Sequence, residues 1–127
     1  MQPSLEANKK AAREFYDFIV NKKDFQSASK YIGSRYIQHN PLIEDGPEGL
    51  KKHIEFLKSN YPETTCEIKL VCAEGDYVFI YSHNIRVPNT RGRAIMDIFR
   101  LENGKFVEHW DVIQDIPERC ANPNGML

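Results

Sequence analysis

Residues Arg93 to Ile116 read RAIMDIFRLENGKFVEHWDVIQDI. Two runs rich in β-branched and aromatic residues flank Asn103-Gly104, the strongest short-range signal for a tight antiparallel turn. Register then decides the chemistry, because a slip of one residue sends every side chain of one strand to the opposite face. A two-residue turn on Asn103-Gly104 sets Asp97 opposite Trp110 and leaves Asp97 and Asp111 on different faces. A three-residue turn, Glu102-Asn103-Gly104 with the glycine at positive φ as a bulge, sets Asp97 opposite His109. In that register Ile95, Asp97 and Phe99 share a face with Val107, His109, Asp111 and Ile113, while Met96, Ile98 and Arg100 share the other with Phe106, Glu108, Trp110 and Val112. The second register is preferred. Both faces are largely apolar, so the charges need partners, and it brings Asp111 to a cross-strand diagonal from Asp97, roughly 7 Å between β carbons.

Working outward, Pro3-Ser4 marks a helix start with Ser4 as cap, and Ala11, Ala12, Phe15, Phe18 and Ile19 recur at helical spacing to about Asn21. Asp24 caps a shorter helix, Phe25 to Ile32, stopped by Gly33. Tyr36 to Pro41 is a short extended piece, with His39 and Asn40 at its strand-to-loop end, from which a side chain can reach a cavity. Gly46-Pro47-Glu48 opens a third helix whose buried stripe is Leu50, His53, Ile54 and Leu57, with His53 assigned to packing. Period-two alternation follows. Cys66, Ile68, Leu70 and Cys72 share one face of a strand; Tyr77, Phe79, Tyr81, His83 and Ile85 share one face of the next, making Tyr81 and His83 candidate pocket groups. Residues 117–127 have no periodicity and read as an irregular tail. Helices followed by longer antiparallel strands give an α+β fold over a single domain, 1–127.

Composition excludes several classes. A formal charge of −1, with dispersed lysines and arginines, argues against nucleic acid. No apolar run is long enough to span a membrane, and a cytoplasmic setting is expected. Three cysteines without CxxC spacing suggest neither a disulfide framework nor a zinc site, and no two of His39, His83, His109, Asp97 and Asp111 form a local ligand motif, so neither metal nor organic cofactor is expected.

The order of elements, YIQHNP at 36–41, DGPEG at 45–49 and DIFRLENGKFVEHWD at 97–111 together resemble the SnoaL-like proteins of the nuclear transport factor 2-like superfamily. The resemblance implies a curved, mostly antiparallel sheet around a cone-shaped pocket closed by N-terminal helices, usually dimeric. In the family's polyketide cyclases an aspartate of the final strand is the acid–base of an intramolecular aldol closure, and Asp111 stands at the matching position. Where those cyclases carry a histidine on the preceding strand, this chain has Asp97.

The expected function is a cofactor-independent enzyme that abstracts a proton beside the carbonyl of a small, largely apolar substrate, in aldol-type condensation, cyclisation or isomerisation. Asp111 is the base, His109 and Asp97 tune or relay its proton, and His39 or Tyr81 binds the enolate oxygen. Asn40, His83, Phe99 and Ile95 complete the substrate site. The rival readings are a ligand-binding module without turnover and a dimerisation module with a vestigial pocket. A homodimer is expected through the outer sheet face, carrying Met96, Ile98, Phe106, Trp110 and Val112, with Val78 and Ile80 of the neighbouring strand as further contributors.

Overall fold

The computed structural model describes residues 3–127. Helix α1 spans Leu5–Val20, and the Ser4 hydroxyl accepts from the Ala7 N–H at 3.1 Å, satisfying one of the free amides of its first turn. Its buried stripe is Ala12, Phe15, Tyr16 and Ile19. Asp24 caps α2 (Phe25–Ala28), which tightens into a 3₁₀ turn over Ser29–Tyr31. The expected helix to Ile32 stops early because Ile32 is taken up by strand β1 (Ile32–Gln38), pairing with Phe106; Gly33 lies within that strand. Helix α3 is Gly46–Asn60, and strands β2 (Thr65–Glu74), β3 (Tyr77–Ile85), β4 (Arg93–Glu102) and β5 (Lys105–Asp115) follow.

The sheet order is β1-β5-β4-β3-β2, parallel between β1 and β5 and antiparallel elsewhere. Phe15 of α1 stacks on Phe106 of β5 at 4.5 Å and meets Phe99 edge-on at 5.8 Å, which fixes the helix on the inner face of the sheet. The fold is therefore α+β, with helices on one face of an open sheet. Among the described residues no helix is long and apolar enough to cross a membrane.

The β4–β5 register differs from both alternatives. The turn has two residues, Asn103 and Gly104 at φ 50° and 79°, with Glu102 opposite Lys105. One residue later the pairing shifts: Leu101 faces Phe106 but Arg100 faces Glu108, so Val107 is the extra residue of a bulge. Asp97 consequently sits opposite Asp111, and His109 opposite Phe99. The bulge restores the parity of the three-residue turn, so Asp97, His109 and Asp111 share a face even though the expected Asp97–His109 pairing is wrong. Phe106 precedes the bulge and points inward, fully buried, rather than onto the outer face.

Two further assignments are corrected. Ile80 pairs with the inward-facing Asp97, so Val78, Ile80, Ser82 and Asn84 line the inner face of β3, and Tyr81 and His83 lie on the outer one. In β2 a register shift between Ile68 and Leu70 separates Cys66, half-buried, from Cys72, exposed.

Helix α3 begins under the loop that precedes it. A Cβ on Gly49 would lie 1.7 Å from the Glu44 carbonyl oxygen, so only glycine fits. Gly49→Ala is expected to cost about 1–3 kcal/mol, read by chemical denaturation. It should also displace Leu42 to Glu44, which form part of the cavity wall described next.

Candidate active site

Between the sheet, α1 and α3 lies a cavity of about 340 Å³. Its floor is polar. Asp97 on β4 and His109 and Asp111 on β5 point into it, and Tyr36, Gln38 and Asn40 enter from β1 and the loop after it, because alternate residues of an extended chain face the same way. That periodicity explains two groups the sequence reading left out, Tyr36 and Gln38; the i, i+2, i+4 spacing with Asn40 was the available signal.

The same alternation removes His39. It lies on the outer face, stacked on Trp110 with ring centroids 4.7 Å apart, and its Nε2 is 2.7 Å from Glu108. It does not reach the cavity. Neither do Tyr81, whose hydroxyl donates to the Met126 carbonyl, and His83, which is bonded to the Arg91 carbonyl. Ile95, Phe99 and Asn40 do line the cavity, and Phe99 packs on the His109 ring at 4.9 Å.

Hydrogen bonding places the protons. Gln38 Oε1 accepts from the Asn40 backbone N–H at 3.0 Å, so it also meets His109 Nδ1, 2.6 Å away, as an acceptor, and Nδ1 carries a hydrogen. His109 Nε2 faces Asp97 Oδ1 at 2.8 Å. One proton is therefore shared between them, as imidazolium and carboxylate or as imidazole and carboxylic acid, and either way the pair is neutral. Burial pushes the Asp97 carboxyl above its ordinary range, the Asp111 charge adds to that, and the bond to His109 opposes it.

Asp111 is held differently. Asn40 Nδ2 donates to both of its oxygens, each at 2.9 Å, and His109 Nε2 is 3.8 Å from Oδ2. Its side chain is only 9% exposed, so the carboxylate faces the cavity with little solvent screening. Tyr36 stacks against His109, and burial followed by the charges of Asp97 and Asp111 raises its phenol well above the usual range, keeping the hydroxyl protonated and able to donate.

His53, assigned to packing from sequence, also lines the cavity; burial first, then the nearby Arg86, lowers its pKa to about 4 and keeps it neutral at pH 7. Asp97, His109 and Asp111 offer ligand atoms within 4.8 Å of one another, close enough for all three to reach one cation. A cation bound between Asp97 and His109 would displace their shared proton.

Known proteins place this arrangement in context. The SnoaL-like domain profile matches residues 12–109. No curated protein sequence matches the chain. Among solved structures, a SnoaL-like protein of unknown function from Burkholderia thailandensis superposes with a TM-score of 0.74 at 15% identity, over 90% of this chain and 99% of the other. A candidate polyketide cyclase from Bacillus cereus gives 0.72 at 22%, over 84% and 74%, and AclR, a candidate hydroxylase from Streptomyces galilaeus, gives 0.71 at 23%, over 87% and 91%. At these identities the likeness is one of fold, and fold alone does not fix the chemistry. With the profile matching most of its length, the chain belongs to the SnoaL-like domain family.

Proposed function

We propose that the protein is a cyclase-type enzyme that removes a proton from the carbon next to a carbonyl, for aldol-type closure or isomerisation of a small, largely apolar compound. The observation carrying this reading is Asp111: a shielded carboxylate oriented by Asn40, at the floor of a cavity large enough for a small molecule. Asp111 takes the proton. The Tyr36 hydroxyl, which has no hydrogen-bond partner among the described residues, takes the enolate-binding role that His39 and Tyr81 cannot fill. The neutral Asp97–His109 pair holds one mobile proton beside the base, ready to return to the product. Ile95 and Phe99 form the apolar wall.

Deuterium exchange into ketones, aldehydes and keto acids, followed by NMR in D₂O, tests this. Exchange at the carbon α to the carbonyl, catalysed by the protein, is the expected result; bound ligands that never exchange would sink it.

We also propose a twofold dimer through the outer sheet face, and a cytosolic setting that keeps the three free cysteines reduced. The apolar surface differs from the expected one: Phe106, Val78 and Ile80 are buried inside, and Tyr77, Met96 and Val112 are exposed around Trp110. Arg100 and Glu108 pair at 2.8 Å on this face. Sedimentation at micromolar concentration should give about twice the 14.8 kDa chain mass, and Trp110→Glu should yield monomer. A wild-type monomer would remove this face as an interface.

A further inference from the structure

The charges on the cavity wall do not balance. Arg86, just beyond β3, and Arg93, the first residue of β4, both line the cavity toward the end away from Asp97. Four residues along β4 separate Arg93 from Asp97, about 13 Å between α carbons. Among the described residues neither arginine has a carboxylate within ion-pair distance. Arg93 donates through Nε and one terminal nitrogen to the neutral Asn84 Oδ1, at 3.2 and 3.0 Å, and its strand neighbour Asp115 makes no ion pair with it. Arg86 lies over the Tyr61 ring, 4.7 Å from its centroid, and the Phe56 ring, 5.9 Å away, and its buried Nε–H has no acceptor among the described residues.

The remaining charges on the wall are accounted for. Lys52 and Glu44 neutralise each other at 2.9 Å. His53 is uncharged at pH 7. The Asp97–His109 pair is neutral, which leaves Asp111 as the single negative charge against two guanidinium groups. One positive charge on the wall has no ion-pair partner among the described residues; burial first and then Arg86 lower the proton affinity of Arg93, and the more distant charges of Asp115 and Asp111 only partly counter them. Folding places two half-desolvated arginines together; the charges of Asp115 and Asp111 offset that cost only in part, since the proton affinity of Arg93 stays lowered, and a bound anion would offset more of it.

We infer that the substrate carries a carboxylate that Arg86 and Arg93 bind, while its reacting carbon lies over Asp111 and its apolar body lies along Ile95. This rests on the reading of the cavity as a substrate site and specifies the chemical class that fits it. A monoanion brings the wall to neutrality, whereas a phosphate dianion would leave an excess negative charge close to Asp111. Guanidinium also suits a planar carboxylate, which it can grip with two parallel N–H donors.

The test is binding, read separately from turnover. Benzoate, phenylacetate and phenylpyruvate, with their primary amides and inorganic phosphate, are titrated into the ¹⁵N-labelled protein and followed by NMR. At least one acid should bind about tenfold or more tightly than its amide, and more tightly than phosphate. That preference should shrink as salt is raised and vanish in Arg86→Gln/Arg93→Gln. Amides binding as tightly as acids, no binding by any of the three acids, or an acid preference that survives the double substitution would overturn the inference. If the double variant loses its folded spectrum, the salt dependence of the wild type decides. Acid-selective binding without deuterium exchange would support the carboxylate site and refute only the acid–base reading.

Discussion

With Asp111 as the proposed base, Asp111→Asn is expected to lower protein-catalysed deuterium exchange by at least about 100-fold and to leave the fold intact. The amide has nearly the shape of the carboxylate and can still accept from Asn40 through its oxygen, so the hydrogen bond that orients the side chain survives. What disappears is basicity. The amide nitrogen cannot accept a proton, and the remaining acid group, Asp97, already shares its proton with His109 and turns an unpartnered, buried oxygen, Oδ2, away from bulk solvent. Exchange rates by NMR and a ¹H–¹⁵N spectrum of the variant measure the two halves of this prediction. Exchange at the wild-type rate would move the base to Asp97.

Phe15→Ala costs about 3–5 kcal/mol of stability, enough to lower the thermal midpoint by about 10–20 °C. Phe15 is fully buried and is the one aromatic ring in contact with Tyr31, Tyr36, Phe99 and Phe106 together. Removing it opens a cavity that no single neighbour can fill, because each is held by a different element: the 3₁₀ turn, β1, β4 and β5. Calorimetry measures the effect. A loss below about 1.5 kcal/mol would mean that α1 can re-seat itself and is held less specifically than its ring contacts imply.

Element types and order were legible because their signals are local. Ser4 and Asp24 cap helices, Pro47 opens one, and Asn103-Gly104 turns a hairpin. Side-chain direction was less legible. In β3 both faces carry bulky apolar residues, so Tyr77, Phe79 and Tyr81 suggest a core face as strongly as Val78 and Ile80 do, and only the pairing of Ile80 with Asp97 selects between them. The bulge at Val107 carries no glycine to announce it, and Lys69 likewise gives no sign of the shift that separates Cys66 from Cys72. His39 has the chemistry of a site residue, yet its neighbours Gln38 and Asn40 are the ones that face the cavity, as the parity of β1 requires. Arg86 and Arg93 are illegible in sequence for a different reason: an unpaired charge can be recognised only once every possible partner has a position.

The parallel pairing of β1 with β5 divides the site between the two ends of the folding sequence. β2 to β5 form an antiparallel meander with short connections, whereas Gln38 and Asn40 reach His109 and Asp111 from 71 residues away along the chain. Contacts of such separation form slowly, since a long loop must close before they contribute any stability. The meander can therefore assemble, with Asp97, His109 and Asp111 already on one face, before the site exists in working form. Until β1 docks, His109 lacks the acceptor that fixes its Nδ1 hydrogen and Asp111 lacks the donor that orients it. On the proposed mechanism, proton abstraction reports on completion of the sheet's last edge: a chain with native-like strands but an undocked β1 would retain most of its β structure and catalyse no exchange.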